Sequence, residues 1–210
     1  MKTYFMTHWN GAETYFEKNL KSTYYFCLAF FGIMIILNTL LFLNDPGLSQ
    51  SYFKELQSLF NQKEFLNSTG VELWFGIFFN NVIASGISIL LGMIPFLFLP
   101  MFSLASNAIV IGLIGAVYQT NGFGWFVFLV GILPHGIIEI PALILGVTLG
   151  VNICFKLVKA ILKRSIKGEL KQAFIGCLRI YVLWVIPLFF VAAFIETFLT
   201  PILFNVVLPA

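Results

Sequence analysis

Charge is what this sequence has least of. Only 10% of its 210 residues are Asp, Glu, Lys or Arg, against roughly 25% in an average soluble domain. Hydrophobic residues make up 60%, phenylalanine alone accounts for 25 positions, and the mean hydropathy is +0.95. A soluble core is excluded, because several runs of about 18 or more residues carry hardly a charge, the length a helix needs to cross a bilayer.

Cysteine is also scarce. Cys27, Cys154 and Cys177 lie in or beside apolar runs with no CxxC pair, which leaves no disulfide framework and makes them small buried hydrophobes. No Walker loop, GxGxxG turn, serine nucleophile elbow or HExxH pair occurs, so no catalytic residue is assigned and no cofactor is expected. Residues 1–22 lack a short cleavable signal pattern, and the first apolar run is expected to persist as a membrane helix.

What is present reads as an all-α, polytopic transmembrane bundle. Residues 1–22 set Trp9, Tyr15, Phe16 and Leu20 among Glu13, Glu17, Lys18 and Lys21, an amphipathic segment expected to lie at the membrane surface. A single transmembrane domain, 23–210, follows. Its first span is expected near 23–43, ending at Asn44-Asp45-Pro46-Gly47. The polar loop 44–72 places Phe53, Leu56, Leu59 and Phe60 at spacings that predict a short amphipathic helix capping the bundle. Spans are expected near 73–99 and 102–118, then a turn at Asn121-Gly122.

The fourth apolar run, 123–155, contains Pro134 and Pro141 and is longer than a bilayer core of about 30 Å requires. It is expected to be tilted, kinked or broken, with six spans as the rival to five. The fifth span is expected near 173–199.

Charge sets the expected orientation. Lys156, Lys159, Lys163, Arg164, Lys167 and Lys171 oppose only Glu169, a net of +5 in the segment 156–172. The positive-inside bias places this segment in the cytoplasm, where it attracts anionic lipid rather than nucleic acid. Five spans then put the N-terminus inside, the 44–72 loop outside and the C-terminus outside, in a bacterial cytoplasmic membrane.

Ionisable groups at membrane depth are costly and usually functional. His135 and Glu139 stand four residues apart and share a helical face. Asn80 and Asn81 lie in the second span and point about 100° apart, so one of them is expected to face His135. Glu196 is either an interfacial carboxylate or a partner for this region. Arg179 either snorkels to lipid phosphate or pairs with Glu139, and Asn107 is a further polar residue in the third span. His135 and Glu139 are candidate metal ligands, but a metal needs more ligands than this pair supplies. Gly86, Gly92, Gly112, Gly146 and Gly150 permit close helix packing, and the Gly146-Val147-Thr148-Leu149-Gly150 match leaves homo-oligomerisation open.

The Phe79-Asn80-Asn81 stretch, Gly92, Asn107, the block Leu133-Pro134-His135-Gly136-Ile137-Ile138-Glu139-Ile140-Pro141-Ala142, and Ala192-Ala193-Phe194-Ile195-Glu196 with Pro201 resemble the stage II sporulation protein M family, over about residues 70–205. The resemblance implies a bacterial polytopic membrane protein. In spore formers the named member holds peptidoglycan-remodelling enzymes at the septal membrane during engulfment.

Three functions are compatible with the residues. The first is a membrane scaffold or accessory subunit for other membrane or envelope proteins, its polar cluster fastening the bundle. The others are a transporter or channel-like module with a polar midplane site and an intramembrane metal-dependent hydrolase.

Overall fold

Apolar runs offer the backbone no outside hydrogen-bond partner, so it must satisfy itself, and helix is the local solution. The computed structural model describes residues 2–163 and 167–207, and among these it contains helices and no strand. The order is α1 (Lys2–Tyr15), α2 (Lys21–Asn44), α3 (Pro46–Asn61), α4 (Gly70–Leu91), α5 (Pro100–Thr120), α6 (Gly124–Lys163), α7 (Lys167–Ile180), α8 (Ile186–Phe194) and α9 (Thr200–Val207). Arg164 of the basic segment lies outside the described residues.

Five helical stretches among the described residues are long and apolar enough to cross a membrane: Met6–Asn44, Gly70–Leu91, Pro100–Thr120, Gly124–Leu162 and Gly168–Val207. Five is thus the number of stretches fit to span, and the described residues offer no sixth. The fourth run is not broken, since Pro134 and Pro141 both lie inside α6. Each proline frees only one carbonyl in the preceding turn, a loss that neighbouring helices make tolerable in a membrane protein. At 1.5 Å per residue the 40 residues of α6 measure about 60 Å. Its charged end, with Lys156 and Lys159, contacts Glu169 of α7 at 3.4 and 3.8 Å.

Three boundaries differ from expectation. Residues 1–22 do not form a separate surface helix: α1 runs into α2 through a π turn at Phe16–Leu20. Ala12 and Leu20 are fully buried against Cys177, Ile180 and Val185, and Trp9 and Phe16 both pack on Trp184. The partners are on the last helix, which a local reading cannot see. The second span ends at Leu91 rather than near 99, and Gly92–Leu99 forms an irregular connection in which Phe96 and Phe98 take positive φ, 71° and 46°. The last helix continues past 199 through π turns at Tyr181–Val185 and Ile195–Leu199 into α9.

Other signals translate directly. Asp45 caps α3, its carboxylate accepting from the Leu48 N–H at 2.9 Å, with Pro46 at the first helical position. Phe53 and Leu56 pack on Phe42, Leu113, Ala116 and Val117, which seats α3 across the ends of α2 and α5. Gly122 adopts φ 84° after α5, and the Phe123 N–H reaches back to the Tyr118 carbonyl at 3.0 Å, a glycine-terminated helix end.

The element that positions the polar residues is α4. Trp74, Phe78, Asn81, Ser85 and Ser88, followed by Gly92 just past its end, recur at alternating spacings of four and three and form one seam against α6 and the last helix. Their size falls along the chain. At the far end a Cβ on Gly92 would run into the Gly150 backbone, and one on Gly146 would run into Ser85 Oγ. At the near end Trp74 needs room for Phe190, Phe194 and Phe198. The GxxxG glycines are thus used inside the chain.

Candidate functional site

His135 and Glu139 are one turn apart on α6, and the last helix runs antiparallel beside them. The π turn Ile195–Leu199 supplies Glu196, and Thr200 opens α9. One donor atom each from His135, Glu139 and Glu196 lie within 4.8 Å of one another. The structure therefore brings Glu196 to the His135–Glu139 pair. Single π turns often mark functional positions, because the extra residue re-aims a side chain.

The surroundings orient these groups. Asn81 Nδ2 donates to Glu139 Oε1 at 3.0 Å. Asn81 Oδ1 accepts from Asn80 Nδ2 at 3.4 Å, and Asn80 Oδ1 accepts from Lys63 Nζ at 2.7 Å. A chain of two amides thus links an exposed ammonium to a partly buried carboxylate, every dipole pointing the same way. On the other side, His135 Nδ1 is 3.2 Å from the buried hydroxyl of Thr200. In the tautomer that donates Nδ1–H to this oxygen, Nε2 keeps its lone pair.

Neither glutamate has a basic side chain at ion-pair distance among the described residues. Two full negative charges at the 4.8 Å limit would repel by about 3.5 kcal/mol at an effective dielectric of about 20. A proton or a cation between them removes that cost.

Other expected residues go elsewhere. Arg179 does not pair with Glu139; its guanidinium lies against Gly11 of α1, at the opposite end of the last helix. Asn107 is exposed and its amide donates to the Ser103 carbonyl of its own helix at 2.8 Å. Gly112 accepts α2 at Asn38 Cβ and the Thr39 backbone nitrogen, where a Cβ would come within 2.9 Å, and Gly86 faces the Tyr181 hydroxyl. Lys63 and Thr200 were missed by the sequence reading. Thr200 had a signal, since it stands four residues beyond Glu196 just as Glu139 does beyond His135. Asn152 was missed as well: it is 5% exposed and donates to the Tyr15 hydroxyl at 2.8 Å, joining α6 to α1.

A family model described as stage II sporulation protein M matches residues 27–201. The chain belongs to that family. No curated protein and no solved structure matches it. The stage II sporulation protein M match begins at Cys27, within α2, well before the 70–205 region where the resemblance was read. It ends one residue past Thr200, so His135, Glu139, Glu196, Asn81, Lys63 and Thr200 all lie inside it, whereas α1, with the Tyr15 that accepts from Asn152, lies outside.

Proposed function

We propose that this protein is a membrane scaffold or accessory subunit, seated in the bacterial cytoplasmic membrane, that positions other membrane or envelope proteins such as peptidoglycan-remodelling machinery. The observation that carries this reading is α3. It is pinned to the bundle by Phe53 and Leu56 and, through Gln50, by a 3.4 Å hydrogen bond to Asn121. On the same apolar face Tyr52, Leu59 and Phe60 keep 48%, 52% and 41% exposure, Tyr52 also lying against Phe42 with ring centroids 5.8 Å apart. A firmly held helix that leaves three large apolar side chains about half exposed suits protein contact. Membership of the stage II sporulation protein M family supports the same reading. In it, the charge bias places α3 outside and the basic segment on the cytoplasmic side, against anionic lipid.

The test is co-purification from native membranes after cross-linking. Replacing Tyr52, Leu59 and Phe60 together by serine is expected to lower partner recovery at least tenfold with unchanged folded yield. Unchanged recovery rejects the reading.

A second reading, a transporter or channel-like module, has one observation in its favour: the Lys63–Asn80–Asn81–Glu139 chain runs from an exposed ammonium into the polar cluster. Liposome flux that His135→Ala abolishes while yield and assembly stay normal would favour it over the scaffold.

A further inference from the structure

We propose that His135, Glu139 and Glu196 bind one divalent first-row transition-metal ion that clamps α6 to the last helix. The cluster is more than a collection of acids. One imidazole and two carboxylates make a mixed nitrogen and oxygen set, which suits zinc or manganese better than calcium or magnesium.

The geometry is close to ligation. A triangle with sides of 4.8 Å has its centre about 2.8 Å from each corner, so inward movements of about 0.6 Å bring the donors to the bond lengths of about 2.0–2.2 Å that nitrogen and oxygen ligands adopt. Rotation about the glutamate side-chain bonds covers that distance. Charge agrees too, because two carboxylates neutralise a dication and leave a site of no net charge among apolar helices.

The outer contacts are those a metal site needs. Thr200 engages His135 Nδ1 and leaves Nε2 for the ion, while Asn81 holds one oxygen of Glu139 and leaves the other. Such partners fix ligand orientation and tautomer. The three ligands come from two helical segments, α6 and the π turn Ile195–Leu199, separated in sequence by 57 residues from Glu139 to Glu196. An ion there would add a strong tie to elements otherwise joined by apolar packing, the His135–Thr200 contact and the Lys156 and Lys159 contacts to Glu169.

The experiment uses the full chain in nanodiscs, with any affinity tag removed, stripped with chelator and titrated with Zn(II), Mn(II), Mg(II) and Ca(II). The expected result is one Zn(II) or Mn(II) per chain, held at least a hundredfold more tightly than Mg(II) or Ca(II), with a thermal transition at least 5 °C higher. His135→Gln and Glu196→Gln are expected to lower that affinity at least a hundredfold. Folded wild-type protein that takes up no stoichiometric ion, or folded variants that bind as wild type does, overturns the proposal. If the variants do not fold, the decision falls to Co(II)-loaded wild-type protein. Pulsed electron paramagnetic resonance should show coupling to one imidazole nitrogen, and no such coupling overturns the site. Partner recovery is not read in these measurements, so their failure leaves the scaffold reading standing.

Discussion

At the Gly92 end of the α4 seam two backbones nearly touch, whereas at the Asn81 end the same helices stand apart around three ionisable side chains. Ser85, Ser88 and Gly92 against Gly146 and Gly150 leave no space for a methyl group. One to three turns away, Asn81 reaches Glu139 through a hydrogen bond, with His135 and Glu196 beside it. Close approach brings dispersion contacts at every atom and needs no polar partner. The wider half has the opposite economy: its polar groups are stable only when each has a partner. The tight end fixes where α4 sits, and that placement delivers Asn81 to the cluster.

The comparison can be broken first at the tight end. Gly150→Leu places a side chain where even a Cβ would meet the Ser88 carbonyl oxygen at 2.6 Å and Pro100 Cγ at 2.8 Å. A loss of about 3 kcal/mol or more is expected, at or beyond the upper end for overpacked cores, read as the unfolding transition in detergent. Next is the polar end. Glu139→Ala leaves Asn81 Nδ2 without its acceptor and is expected to cost about 1–3 kcal/mol. A double-mutant cycle with Asn81→Ala should return a coupling of about 1–2 kcal/mol, and no coupling would mean that the 3.0 Å bond contributes nothing.

The connection just beyond the tight end gives a smaller effect of opposite sign. Phe96 is exposed at φ 71°, and Phe96→Gly should raise stability by about 1 kcal/mol as the backbone strain is relieved. The smallest change is expected at Ser85→Ala. Its buried hydroxyl has no hydrogen-bond partner among the described residues, so removal should move the transition by no more than about 0.5 kcal/mol. A large loss there would show that the small-residue half relies on polar contacts after all.

Much of this was legible from residue order because the signals are local. Hydropathy marks five spans, Asn121-Gly122 closes the α5–α6 turn, and i,i+4 spacing puts His135 and Glu139 on one face. The unread parts depend on which helix faces which. Glu196 could be placed beside Glu139 only once the last helix was known to lie antiparallel to α6. The prolines of α6 suggested a break because their local cost was visible and the packing that tolerates it was not. Residues 1–22 read as a surface segment because Trp184 and Cys177, which cover them, lie more than 150 positions away. The seam from Trp74 to Gly92 is a spacing any reader could count, but its meaning comes from the glycines of α6.

The π turn Ile195–Leu199 carries a consequence for how this helix can change over time. It holds one residue more than an α-helical turn, so it sets the angular phase of everything after it relative to everything before. Deleting the exposed Leu199 would remove that surplus and return the turn to ordinary α-helix, with Glu196 and Thr200 still facing His135. A deletion one turn further on, in regular helix, would instead rotate the remainder by about 100° and draw it back by about 1.5 Å. The π turn is thus the one place in this stretch where a residue can be lost without uncoupling the carboxylate from the hydroxyl.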